Sequence, residues 1–462
     1  MSRRAPVAWP LVTVFTAGYL AAYLLPTTVA RLGASLGLTA AQAGLAGSSL
    51  LLASATAGFT LASRVDRLGP HRVARAGLLL MLVGYGTAAA TPAAYGALVI
   101  AAATLGGLGS GTATTVAAAQ IAAQRDPHRA STLGLLSVSA VAGALYLTLP
   151  HLGGGHRAPF LALAVTAVLA QAAAGRLRPE AAGSRDGAGD VRTTRTPLPY
   201  LRTGTVLAGT VALWSMAQNS LWGVSSRIGL DQAGLSEVTV GAVFAVALGA
   251  GLLGVLGAGL LGSRLGRALP IGAGTAVIAG CIALAASADD LAAFATGEVL
   301  WNAMYPVVLS YLLGLAASLD PRGRWAVLVG SCSSLGVACG PVVGSTLAAR
   351  AGYPGMGMVL CALLLLLAVP LTAVALHTAG RPLLPGAVRR KGGAPAAALA
   401  AATGVPSGAV PALGAPEQPV APITVAPLAA EADDLVTTAA YVPVEAYDGD
   451  SSAERRYAAP VG

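Results

Sequence analysis

Residues 62–72 read Ala62-Ser63-Arg64-Val65-Asp66-Arg67-Leu68-Gly69-Pro70-His71-Arg72, and the heart of that stretch returns as Ser263-Arg264-Leu265-Gly266. Each copy lies between two long apolar segments. An acid followed by bases at such a junction has a physical use. Asp66 can face the positive N-terminal end of a neighbouring helix, and the arginines can face carbonyl ends or carboxylates. Contacts of this kind form when two halves close on one side and break when they part, which makes an ionic latch. Its recurrence suggests a chain built from one unit used twice.

Working outward, twelve apolar segments emerge, at about 8–30, 41–63, 73–91, 96–121, 132–150, 157–175, 203–224, 238–261, 269–287, 292–316, 324–347 and 354–377. Each is near the length, about 20 residues, that crosses a hydrocarbon core. Composition agrees: 55% of residues are hydrophobic and 10% charged, where a soluble protein carries about 25% charged residues. The expected fold class is therefore an all-α polytopic membrane protein, with twelve transmembrane helices in two pseudo-symmetric six-helix bundles. The 59 glycines fit this reading, because small residues let membrane helices approach closely.

Charge sets the expected orientation. Of the 28 Arg and Lys residues, only Arg31, Arg157, Arg227 and Arg350 fall on one side of the predicted bilayer. The positive-inside rule makes that side external and both termini cytoplasmic, in the cytoplasmic membrane. Topology also accounts for the net charge of +9, so no nucleic-acid partner is expected. Arg3 and Arg4 precede a long first segment without a clear cleavage site, as in a signal anchor kept as the first helix. Cys281, Cys332, Cys339 and Cys361 all fall inside segments and read as apolar packing residues.

The expected domains are a first six-helix bundle over 1–175, a polar cytoplasmic linker over 176–202, a second bundle over 203–378, and a disordered Ala/Pro-rich cytoplasmic tail over 379–462. A second pair of echoing loops supports the repeat: Asp126-Pro127-His128-Arg129 after the fourth segment, and Asp320-Pro321-Arg322-Gly323-Arg324 after the tenth. Parallel repeats related by an axis along the membrane normal are a transporter architecture.

On these residues the chain resembles the major facilitator superfamily. Its signature loop between helices 2 and 3 has the form G-x-L-[AS]-D-R-x-G-x-[RK]-[RK]. The first copy keeps Asp66, Arg67, Gly69 and Arg72, and departs at Ala62, Arg64, Val65 and His71. The second keeps Gly259, Leu261, Arg264 and Gly266, with Ser263 in place of the acid. A further signature, G-x-x-x-G-P-x-x-G, marks helix 5 of drug–proton antiporters in that family. Here helix 11 carries the intact form in Gly336, Gly340, Pro341 and Gly344, while helix 5 has Ser139, Gly143, Ala144 and Leu147 at those places. The resemblance implies rocker-switch alternating access around a central cavity lined by helices 1, 4, 7 and 10. Asp66, Arg67, Gly69, Arg72, Arg264, Gly266 and the helix 11 motif would be its gating residues.

Glu298 is the one acid placed within a segment. A central Asp costs at least about 2.5–3.5 kcal/mol on insertion scales, and Glu should behave similarly. Taking up a proton removes that cost, so Glu298 is the expected proton-coupling residue. The competing reading is a hydrogen bond to a neighbouring helix or a side chain reaching outward. Trp301, Asn302 and Tyr305 follow at i+3, i+4 and i+7, on the same helix face. Helix 7 shows Trp214, Gln218 and Trp222 at i, i+4 and i+8, with Asn219 beside them, and helix 1 shows Tyr19 and Tyr23. Helix 4 offers Thr114, Thr115 and Gln120. Rings and amides in one stripe suit an amphipathic organic substrate. For Trp222, near the external helix end, an interfacial anchor or an interhelical hydrogen-bond partner is at least an equal alternative.

No phosphate-binding glycine loop with a lysine, metal-spaced His cluster or nucleophile triad is evident. His71, His128, His151 and His156 read as loop residues. The expectation is a monomeric, cofactor-free secondary transporter, not an enzyme, exchanging protons for a small organic molecule in the efflux direction. Uptake or facilitated diffusion is the alternative, and a sensor or scaffold acting through the tail is the alternative of another class.

Overall fold

A computed structural model of the chain describes residues 9–62, 64–122, 124, 127–153, 155–175, 198–261, 266–320 and 323–378. The described residues form helices, turns and short connections, with no strand among them. The long helices are α1 (Trp9–Tyr23 and Leu25–Leu36, two limbs), α2 (Ala40–Leu61), α3 (Pro70–Ala90), α4 (Gly96–Ala122), α5 (Pro127–Thr148), α6 (Arg157–Ala174), α7 (Leu201–Arg227), α8 (Glu237–Leu261), α9 (Ala268–Ala286) and α10 (Leu291–Leu319). The last helical stretch, Arg324–His377, is divided by Gly352, at φ 71° and ψ 171°, into α11 and α12. These are the twelve expected helices. The tail at 379–462 and most of the linker, 176–197, lie outside the described residues, as do the side chain of Asp66 and all of Arg264.

Nine helices among the described residues are apolar and long enough to span a membrane, ten when the limbs of α1 are joined across their 51° bend. Arg324–His377 counts once there although it is two helices. The remaining one is α7, whose buried Ser215, Gln218, Asn219, Ser220, Ser225 and Ser226 dilute its apolar character. A helix this polar needs protein around it rather than lipid.

The first helix departs from expectation. It continues past residue 30 to Leu36, because the residue that stops it is Gly37, left-handed at φ 62°, whose N–H returns to the Gly33 carbonyl. Only glycine adopts that conformation without strain. Arg31, expected as an external loop residue, is therefore helical and buried at 5% exposure.

The two sets of six pack alike. In the first, α2 and α3 lie on α4, and α3 lies on α6; in the second, α8 and α9 lie on α10, and α9 lies on α12. The α1–α5 pair of the first corresponds to α7–α11 of the second. The repeated loop shows the same correspondence in its backbone, since Gly69 and Gly266 both have positive φ, at 86° and 67°. Arg67 and Arg72 beside Gly69 are exposed.

The helix 11 motif has a clear packing role. A Cβ on Gly336 would meet the Ala212 carbonyl of α7, and one on Gly344 would meet the Ser220 carbonyl. Gly340 lies against the backbone of Asn219. Pro341 fills the space that Gly223 of α7 leaves, and also faces Gly44 and Gly47 of α2. The motif thus seats α11 on α7 and presents its other side to the first half.

The halves meet at the end that carries Arg31, Arg157, Arg227 and Arg350, here called the arginine-poor end. Hydrogen bonds between described residues cross there. Arg31 Nε donates to Glu237 Oε1 at 2.7 Å. Val342 N–H donates to Ser48 Oγ at 3.0 Å. Trp222 Nε1 donates to the Ala22 carbonyl at 3.3 Å. Arg31 also donates to the carbonyls of Leu149, at 2.8 Å, and Gly153, at 3.1 Å. Its guanidinium is thereby satisfied by both halves at once.

Adding a methyl at Gly344 must force α11 off α7. Gly344→Ala is expected to lose about 1–3 kcal/mol of stability, read as a lower melting temperature in detergent. Gly280→Ala, where nothing lies within 4 Å of the new Cβ, serves as the neutral control.

Candidate functional site

Two helix breaks and one polar helix build the site. In α1, Pro26 at the start of the second limb has no N–H to offer the Ala22 carbonyl one turn back, and its ring disfavours a straight helix. The resulting bend leaves two carbonyls that hydrocarbon cannot satisfy. Side chains satisfy them: Tyr146 Oη of α5 donates to the Tyr23 carbonyl at 2.5 Å, and the Trp222 indole of α7 donates to Ala22. In α10, Pro306 sits inside the helix, close to the same level of the molecule.

A cavity of about 80 Å³ opens beside these breaks. Its ring walls are Tyr23, Trp222, Trp301 and Tyr305, and its polar groups are Ser139, Asn219 and Asn302. Leu25, Leu51, Leu248 and Val337 supply aliphatic surface. Among the described residues no charged side chain is in the lining. The rings support one another. Trp222 and Trp301 have centroids 5.7 Å apart, and Trp301 and Tyr305 5.9 Å apart. Trp214 stacks on Tyr305 at 5.2 Å and 13°. Trp222 also meets Phe244 edge-on at 5.3 Å. Aromatic pairs in such geometries add about 0.5–1.5 kcal/mol each beyond their burial.

The residues proposed from sequence divide into three groups. Tyr23, Asn219, Trp301, Asn302 and Tyr305 line the cavity. Trp214 and Gln218 stand behind the lining, both fully buried. Gln218 Oε1 accepts from Trp301 Nε1 at 2.6 Å and so orients that indole. The Trp214 indole nitrogen and the Gln218 amide nitrogen have no hydrogen-bond partner among the described residues. Tyr19 and Gln120 fall outside the lining. Tyr19 is buried against Phe15, with centroids 4.3 Å apart.

Gln120 and the rest of α4 depart from the expected cavity wall. Gly18 of α1 lies against Thr114 of α4, which covers this face. The hydroxyls of Thr114 and Thr115 turn back to the Gly111 carbonyl at 2.9 and 2.6 Å. Gln120 lies further along α4, half-buried. Trp222 is buried in the cavity wall and not an interfacial anchor, and it is also an interhelical hydrogen-bond partner, through its indole and the Ala22 carbonyl.

Glu298 is fully buried, at 0% exposure, and does not line the cavity. Its Oε1 accepts from Ser225 Oγ of α7 at 2.6 Å. Its Oε2 has no hydrogen-bond partner among the described residues. The interhelical bond weighed as the competing reading therefore exists, but it occupies one oxygen only. Glu298 and Ser225 each sit one turn closer to the arginine-poor end than Trp301 and Trp222. The Asn302 amide caps the Glu298 backbone carbonyl at 3.0 Å. Ser225 was not singled out from sequence; its signal was its place three residues after Trp222 on the same helix face.

The family assignment follows from the chain as well as the fold. The family model of the Major Facilitator Superfamily matches residues 11–324. The chain belongs to the major facilitator superfamily. It is a membrane transporter of small-molecule substrates, not an enzyme. Among solved structures, this major facilitator chain is similar to that of the human organic anion transporter MFSD10 (TETRAN), with TM-score 0.56 and 20% identity over 79% of this chain and 100% of that one. At that identity the likeness concerns the fold. No curated protein sequence matches.

If the ring-and-amide wall contacts substrate, Asn302→Ala and Tyr305→Ala should change substrate range or half-saturation in reconstituted vesicles. Gln120→Ala should leave both unchanged. Equal effects at all three positions would remove this cavity as the binding site.

Proposed function

We propose that the protein is a proton-coupled exporter of small amphipathic organic molecules, working by alternating access in the cytoplasmic membrane as a monomer with both ends inside. The observation that carries this reading is Glu298. It is the one carboxylate well inside a span among the described residues, fully buried, with an oxygen left without a partner. An ionised carboxylate in that setting is costly, and a proton relieves the cost. The cavity beside it combines aromatic wall with a few amides and hydroxyls, as sites for amphipathic organic ligands do. The similar human protein is an organic anion transporter. The cavity here carries no basic residue, so that substrate class is not carried over.

The packing of the halves at the arginine-poor end corresponds to the state closed toward that side, which the charge distribution makes the outside. The Arg31–Glu237 pair is its ionic tie. The signature loops, with Asp66, Arg67, Gly69, Arg72, Arg264 and Gly266, would form the tie of the opposite state. Gly336, Gly340, Pro341 and Gly344 would keep α11 and α7 moving as one piece.

Reconstituted protein under an imposed pH gradient, offered a panel of lipophilic compounds, tests the coupling. Glu298→Gln should abolish gradient-driven accumulation while preserving fold and exchange of substrate down its own gradient. A mutant that still concentrates substrate with the wild-type pH dependence rules out Glu298 as the coupling site. Uptake driven by the gradient would reverse the proposed direction.

Glu237→Gln should shift the balance toward the state open at the arginine-poor end. A single cysteine at Val337, in a chain with its own cysteines replaced, would then react severalfold faster with an impermeant thiol reagent from that side. An unchanged rate removes the ionic tie.

A further inference from the structure

We propose that Trp222 is the gate between the substrate cavity and Glu298, and that the break in α1 holds this gate shut. The inference rests on the reading of Glu298 as the proton site and names what controls access to it.

Four observations place Trp222 in that role. Its ring lines the cavity, while the buried Glu298 does not. Trp222 and Trp301 pack together at 5.7 Å, one helical turn from the Ser225–Glu298 hydrogen bond on each of the two helices. In the proposed arrangement the two rings form a floor over the carboxyl. The Trp222 indole N–H is engaged with the Ala22 carbonyl of the other half, the carbonyl that Pro26 leaves without its helical donor. Phe244 closes the remaining edge of the indole. Tyr146 of α5, a titratable group of the first half within electrostatic reach of Glu298, is bonded to the neighbouring Tyr23 carbonyl.

This arrangement links gate and carboxyl mechanically. Ala22 belongs to the first half and Trp222 to the second. Parting the halves at the arginine-poor end must break the indole–carbonyl bond. Trp222 then loses the contact that holds it flat over Glu298, and the carboxyl becomes reachable. In the closed state the same bond keeps protons and substrate apart. Trp222 acts here as a positioning residue. It need not bind the proton itself.

The test is modification of Glu298 by a water-soluble carbodiimide, which adds to a protonated carboxyl. The full-length protein in detergent is used, and the modified peptide is quantified by mass spectrometry. Glu298→Gln protein gives the blank. Trp222→Ala should be modified more than about tenfold faster than wild type. Trp222→Phe keeps a ring on Trp301 but loses the indole N–H. It should rise by about threefold to tenfold, the range a hydrogen bond inside a membrane protein supports. The phenylalanine variant decides the matter if the alanine variant does not fold. Wild-type rates in the folded variants overturn the proposal. So does a parallel rise at Asp231 and Asp290, acids whose contacts lie within the second half, which would mark general loosening. The labelling needs neither substrate nor gradient, so it can fail while Glu298→Gln still uncouples transport, or succeed when it does not.

Discussion

Hydrocarbon offers no hydrogen bonds, and the central part of this molecule is organised around that fact. A helix satisfies its own backbone, so a proline in the middle of a span creates a debt that neighbouring side chains must meet. Pro26 creates it in α1. The phenol of Tyr146 and the indole of Trp222 meet it, one from the same half and one from the other. A local backbone defect is thereby turned into a contact between halves, placed at the base of the cavity. Broken helices at mid-membrane recur in transporters, where half-helix ends and unwound carbonyls bind substrate and coupling ions.

The same scarcity of partners explains the polar helix and the buried acid. The serines and amides of α7 could not face lipid, so α7 is enclosed by α1, α10 and α11. Within that enclosure Glu298 receives one donor, Ser225, and only one of its oxygens is occupied. A fully satisfied carboxylate would be inert. A carboxyl with one oxygen unpartnered among the described residues is the setting on which the proposed proton exchange rests. The glycine motif of α11 contributes indirectly. It lets α11 approach the α7 backbone closely, so that the polar residues of α7 are held in fixed positions.

Much of this was legible along the chain. Twelve apolar lengths gave twelve helices, and the repeated loop correctly implied two matching sets of six, down to the positive φ shared by Gly69 and Gly266. Helical spacing brought Trp301, Asn302 and Tyr305 to one wall, with Asn219 opposite. The misses have physical causes. The end of α1 was set too early because Arg31 looked like a loop charge, while Gly37 was the true stop. The α4 residue Gln120 was offered as cavity wall because helix number, not packing, suggested it. The close fit of Gly18 covers Thr114, and Gln120, six residues on, points to another side of α4 and is not in the cavity lining. Trp222 could not be told from an interfacial anchor by its distance from the helix end.

Periodicity and composition belong to single helices, so the amino-acid sequence by itself determined the number of spans, their sidedness of charge, the internal repeat and the one intramembrane acid. The partners of that acid are a matter of rotation and tilt between helices. Those depend on where glycines allow close approach and where a proline bends the axis. Only the tertiary structure therefore decided that Glu298 meets Ser225, that it lies outside the cavity lining, and that the Trp222 indole in that lining is tied to the opposite half.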